Sequence, residues 1–173
     1  MIKLFIKILF IFTFIGNLHA EIVRSIDIKG NSRVSEETVK IYGEIKINED
    51  YNEQSLNQII NNLYSTNFFE DVKIELKNNV LKIILVEYPV INNLIILGEP
   101  KKGYREQIKK IITLKNKDSF IKNNLSEDVE RIKNLYSSIG FNFAKVDTKV
   151  RKIDANNIDL VFDINRGEIS KIS

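Results

Sequence analysis

Catalytic chemistry has little to work with in this chain. Cysteine is absent, and the one histidine, His19, lies in a leader-like segment. The remainder therefore lacks two common soft or borderline metal ligands and the commonest general base. Four acidic pairs are left, Glu36-Glu37, Glu49-Asp50, Glu70-Asp71 and Glu127-Asp128, and each falls in a cap, a loop or a helix start. Their spacing sets no two carboxylates across a cleft, as acid–base catalysis requires. Gly98-Glu99-Pro100-Lys101-Lys102-Gly103 imitates the glycine spacing of a phosphate loop, but Tyr104-Arg105 stands where Lys and Ser/Thr are needed. No nucleophile motif occurs. The expectation is a protein that is not an enzyme and uses no cofactor or metal.

What remains is the chemistry of the backbone. Val72, Lys73, Ile74, Glu75 and Leu76 alternate apolar with charged residues, and so do Lys145, Val146, Asp147, Thr148 and Lys149, with Thr148 in an apolar place. Such a strand has one wet face and suits the edge of a sheet. An unpaired edge offers N–H and C=O groups to which an extended partner segment can add as another strand. These ten residues are the candidate binding residues. The same charges also guard an edge against aggregation, so both readings stand at this point. Phe68, Phe69, Phe141 and Phe143 read as core packing rather than a binding patch. Tyr64 and Tyr136 read as packed rings with their hydroxyls at the rim. Lys101, Lys102, Lys109, Lys110, Lys115 and Lys117 form a locally basic stretch, read as a solvated face, with an acidic partner or lipid headgroups as the alternative.

The elements that carry these residues occur twice. Leu63-Tyr64-Ser65-Thr66-Asn67-Phe68-Phe69-Glu70-Asp71-Val72-Lys73-Ile74 is the end of a helix, an aromatic corner and a strand. At one constant offset Leu135, Tyr136, Ser137, Phe141 and Val146 fall on Leu63, Tyr64, Ser65, Phe69 and Ile74. An internal repeat of this kind divides the chain into two similar units. In the first, residues 22–28 alternate as a strand ended by Gly30-Asn31-Ser32. Ser35 caps a short helix that places Val39 and Tyr42 inward and stops at Gly43. Asn52 caps a longer helix striped by Leu56, Ile59, Ile60, Leu63 and Tyr64. Asn78-Asn79 is a hairpin turn, and residues 80–86, apolar on both faces, read as a central strand. The second unit repeats the order. Residues 91–97 are a strand leaving through Gly98, and residues 104–112 a short helix. Leu125, Val129, Ile132, Tyr136 and Ile139 stripe the long helix. Ala144, Val146, Thr148 and Val150 face in on the next strand, and Ile158, Leu160, Phe162 and Ile164 form the last. The fold class is α+β, with strand, helix, helix, strand and strand in each unit, and a three-stranded sheet covered by two helices.

At 43% hydrophobic and 28% charged residues the chain reads as globular. Residues 1–20 read as a secretory signal peptide. Lys3 and Lys7 form its basic end, an apolar run over residues 8–15 follows, and the exit ends at Ala20. Both lysines belong to that segment, so the remainder is close to charge balance and gives no support to a nucleic-acid partner. Glu168-Ile169-Ser170-Lys171-Ile172-Ser173 resembles the opening of a third unit, which suggests a partial sequence.

The run Gly30-Asn31-Ser32-Arg33, Thr38-Val39, Leu63-Tyr64-Ser65-Thr66, Phe69-Glu70-Asp71-Val72-Lys73-Ile74 and Val86-Glu87-Tyr88-Pro89 resembles a polypeptide-transport-associated (POTRA) domain. Two such units behind a signal peptide resemble the amino-terminal part of outer-membrane protein assembly factors of the BamA type. The resemblance covers residues 21–88 and, more loosely, 89–167, where Gly98-Glu99-Pro100 replaces the Gly-Asn pattern. It implies a periplasmic location at the bacterial outer membrane, ahead of a membrane β-barrel that this chain lacks. The implied partners are unfolded outer-membrane proteins, accessory lipoproteins of the assembly complex and periplasmic chaperones. A two-partner secretion pore and a membrane-anchored cell-division protein are the alternative bearers of such domains.

Overall fold

The computed structural model describes residues 21–169. The signal peptide expected over residues 1–20 lies outside the described residues, as do residues 170–173 of the expected third unit. The first unit contains β1 (Glu21–Ile22), β2 (Ser25–Lys29), α1 (Glu36–Gly43), β3 (Asp50–Tyr51), α2 (Glu53–Ser65), β4 (Phe69–Lys77) and β5 (Val80–Glu87). The second contains β6 (Val90–Leu97), α3 (Lys102–Ile111), α4 (Lys122–Ser138), β7 (Lys145–Lys152) and β8 (Asn157–Asn165).

Each unit builds one three-stranded sheet. The orders are β2-β5-β4 and β6-β8-β7. In both, the first strand runs parallel to the central one and the third antiparallel. The expected α+β class and the two-helix cover hold. Val39, Ile59 and Leu63 from the helices close over Ile28, Val72, Leu81, Ile83 and Leu85. Ile108, Ile132 and Tyr136 close over Ile91, Val146, Ile158, Leu160, Phe162 and Ile164. β5 is central, as its continuous apolar pattern predicts. Its second face is nonetheless open: Val80, Ile84 and Val86 are exposed.

The strand expected over residues 22–28 is broken. The Val23 N–H donates to Glu49 O at 3.0 Å, and Asn48 N–H donates to Val23 O at 2.7 Å. Val23 is buried there. This swings β1 onto β3, antiparallel, and leaves β2 to pair with β5.

Local chemistry sets the helix ends. Ser35 Oγ accepts from Thr38 N–H at 3.2 Å. Asn52 and Ser55 form a reciprocal box, with Ser55 N–H donating to Asn52 Oδ1 at 2.9 Å and Asn52 N–H to Ser55 Oγ at 2.8 Å. The stop expected at Gly43 falls one residue later: Glu44 takes the left-handed conformation at φ 55°. Gly43 serves packing instead, since a Cβ there would meet the Ile45 side chain at 2.8 Å. Tyr42 was expected inside, but its ring is half exposed and leans edge-on against Phe68, centroids 6.0 Å apart.

Two glycines hold matching posts. Gly30 at φ +87° lies against Leu85 O, and Gly98 at φ +75° lies against Ile164 O, each 1.9 Å from where a Cβ would stand. Only glycine fits such an approach. Two residues beyond Leu85 comes Glu87, a buried carboxylate that accepts from the N–H groups of Ser32, Arg33 and Val34 and pairs with Arg33 Nε at 3.0 Å. Two residues beyond Ile164 comes Arg166, 3.8 Å from the buried carboxylate of Glu99. The lock recurs in both units with its charges exchanged.

Candidate strand-addition margins

β4 and β7 occupy the outer positions of their sheets. Val72, Lys73, Ile74, Glu75 and Leu76 lie on β4, and Lys145, Val146, Asp147, Thr148 and Lys149 lie on β7. On β4 the ladder sets Val72, Ile74 and Leu76 opposite Leu85, Ile83 and Leu81, on the face the helices cover. Lys73, Glu75 and Lys77 stand opposite Ile84, Lys82 and Val80, on the open face. On β7 the expected inward row is only partly realised. Val146 is buried and Thr148 half-buried, but Val150 is 46% exposed. The apolar cover runs out before it, as the 48% exposure of Ile153 further along also shows.

Backbone direction alternates along a strand, so one outward contact fixes the phase of the rest. The Val72 N–H donates to Tyr64 Oη at 3.2 Å, away from β5. Ile74 and Leu76 therefore also turn their N–H and C=O groups outward. On β7 the reference is Ile153, whose N–H donates across the hairpin to Asn157 O at 3.0 Å. Residues 145, 147, 149 and 151 share that direction, leaving Val146, Thr148 and Val150 facing out. The opposite margin of the second sheet is partly closed. Lys117 and Asp118 exchange backbone bonds with Ile91 at 2.7 and 2.9 Å, and Asn116 Oδ1 accepts from Leu94 N–H at 2.6 Å.

The two tyrosines at matching places in the repeat have different roles. Tyr64 was read as a packed ring on the helix stripe but is 40% exposed; its hydroxyl lies at the rim, as expected, and also donates to Asp71 Oδ1 at 3.3 Å. Tyr136 departs from the expectation: it is fully buried, and its hydroxyl donates to the Glu99 carboxylate. Burial, and then the bond to Glu99, push the Tyr136 phenol above its ordinary value. Glu99 also accepts from Lys101 N–H at 2.7 Å, so the glycine-spaced run holds a carboxylate of its own rather than a phosphate. The aromatic corner packs Phe69 fully and sets Phe141 edge-on to Tyr136, centroids 6.2 Å apart. Phe143 contradicts the core reading at 77% exposure. The ladders explain it. Val72 and Val146 hold matching places opposite Leu85 and Ile164, so the second corner is two residues longer than the first and pushes Phe143 out.

Electrostatics on the open faces are local. The Lys73 ammonium, 3.0 Å from Asp71, holds the Asp71 carboxyl below its usual range, and Asp71 in turn raises Lys73. Asp159 points to the open face yet is buried under the Arg151 guanidinium, with Asn93 Nδ2 donating at 2.9 Å. Arg151 first, and then Asn93, hold its carboxyl low. Asp128, inside the acidic pair read as a helix start, is buried and accepts from Thr113 and Leu114 N–H at 2.7 and 2.9 Å. The basic stretch disperses into local contacts. Lys101 lies over the Tyr104 ring, Lys109 pairs with Glu106, and Lys115 donates to the carbonyls of Lys109 and Ile112 at the end of α3.

Tandem β-α-α-β-β units, each with a three-stranded sheet whose last-but-one strand in sequence lies at a margin, define the class, and comparison with known proteins gives it a family. The family model described as POTRA, surface antigen variable number repeat, matches residues 21–87 and 89–167. The chain belongs to the POTRA family. It is 30% identical over 154 residues to the outer membrane protein assembly factor BamA of Neisseria meningitidis serogroup B, covering 87% of this chain and 19% of that protein. It is 28% identical over 141 residues to the BamA of Neorickettsia risticii, covering 82% of this chain and 19% of the relative. The chain thus spans about a fifth of the length of these relatives. Among solved structures, the N-terminal domain of Omp85 from Thermosynechococcus elongatus shares the fold. Its TM-score is 0.53 at 16% identity, over 86% of this chain and 64% of that one.

Proposed function

We propose that this chain is the periplasmic POTRA region of an outer-membrane β-barrel assembly factor, which binds unfolded outer-membrane proteins by strand addition and docks accessory lipoproteins. The observation that carries the binding mode is the pair of free outer margins, β4 and β7, with backbone groups directed away from the sheet. Main-chain hydrogen bonding makes little demand on side chains, which suits clients of many sequences. The likeness to two assembly factors supports the setting. In this reading residues 1–20 export the chain, residues 21–88 and 89–167 are two POTRA domains, and residue 168 opens a third. The barrel belongs to a part of the parent protein outside this sequence. Accessory lipoproteins and periplasmic chaperones are its further partners, and no step is catalytic.

Cross-linking tests the reading. A photoreactive residue at position 73 or 147 should label an unfolded barrel precursor more strongly than one at the helix-face position of Lys133. Labelling no stronger than at 133 would reject strand addition at these margins.

A further inference from the structure

Strand addition requires outward backbone groups that nothing else has taken, and the inference below rests on that reading. The four margins of the two sheets differ in this respect. β6 is closed over its first half by residues 116–118. β2 is only five residues long. β4 loses its first outward amide, that of Val72, to the Tyr64 hydroxyl, while Asp71 crowds the same amide. On β7 nothing comparable occurs among the described residues. The hydroxyl at the matching place in the repeat, that of Tyr136, is turned into the core and bonded to Glu99. Val146, Thr148 and Val150 are therefore open in succession, and the exposed side chain of Val150 adds an uncovered apolar neighbour on the helix side.

We propose that β7 is the acceptor margin of this chain and that the Tyr64 hydroxyl shortens the margin offered by β4. The occupant is an extended polypeptide segment with apolar residues at every second position. Those residues lie beside Val146, Thr148 and Val150. The intervening ones lie on the open face beside Lys145, Asp147, Lys149 and Arg151, a row that favours acidic or neutral polar side chains. Lys149 and Arg151 are 70% and 74% exposed, so they stay within reach of such groups although Asp163 and Asp159 lie against them.

The test is residue-resolved amide hydrogen exchange on the whole chain, with and without a synthetic peptide of alternating valine and glutamate. The peptide should slow the amides of Val146, Thr148 and Val150 by about tenfold, the order expected of one added backbone hydrogen bond, and leave Ile74 and Leu76 nearly unchanged. In Tyr64→Phe the Val72 amide should exchange faster in the free protein, and the peptide should then also slow Val72, Ile74 and Leu76. Equal slowing at both margins of the unaltered chain would overturn the choice of β7 and leave strand addition standing. An unchanged Val72 amide in Tyr64→Phe would overturn the role of the hydroxyl. Slowing at neither margin would overturn strand addition itself.

Discussion

Single residues set the tolerances of this fold. Gly30 and Gly98 combine positive φ with a carbonyl at 1.9 Å from the missing Cβ, so each Gly→Ala change adds strain and a backbone clash. Either should cost about 3 kcal/mol in urea unfolding, whereas Gly103→Ala, with open space around it, should cost far less. Tyr136→Phe leaves the buried Glu99 without one of its donors and should cost about 2 kcal/mol. Asp159 makes stability depend on acid. Its folded value is depressed, so its contribution is complete above the unfolded value of about 4 and is lost as pH falls through the lower folded value. The urea midpoint of the unaltered chain should therefore drop more steeply below about pH 4 than that of Asp159→Asn.

Among the elements, proline separates margin from centre. Thr148→Pro removes an outward N–H from β7 and should cost about 1 kcal/mol, because edge strands tolerate proline on their free side. Leu160→Pro removes a bond within the central β8 and should cost about 3 kcal/mol or more, read from the same urea curves. Much of this architecture was legible in the residues. Periods of 2 and 3.6 marked the strands and helices, Asn52 and Ser35 announced their caps, and the charged alternation of β4 and β7 marked them as margins. The hidden parts depend on distant partners. Glu99 looked like part of a glycine-spaced loop because nothing nearby in sequence shows that Tyr136 and Arg166 converge on it. Asp128 read only as one of an acidic pair, because the Thr113 and Leu114 N–H groups that hold it lie in another segment. Phe143 resembled a core aromatic, and only the ladder register reveals the longer corner that expels it.

For the whole molecule, duplication brings a hazard that the exchanged locks answer. Two like modules on one chain can trade strands, with β2 settling beside β8 or β6 beside β5. Such a swap would set Arg33 against Arg166, or Glu99 against Glu87, and each of these acids has less than a twentieth of its side chain accessible. Like charges repel strongly in the dry Glu87–Glu99 encounter, and the Arg33–Arg166 encounter, with both side chains partly exposed, forfeits an ion pair, so mispairing is penalised while the proper match is rewarded. Glu87→Gln, which keeps an acceptor oxygen for the Ser32, Arg33 and Val34 N–H groups and gives up the charge, would remove the Glu87–Glu99 conflict. Such a chain should refold from urea more slowly, through compact species in which the modules have borrowed each other's strands. The opposed polarities thus act as a proofreading code, written into the chain by its own doubling.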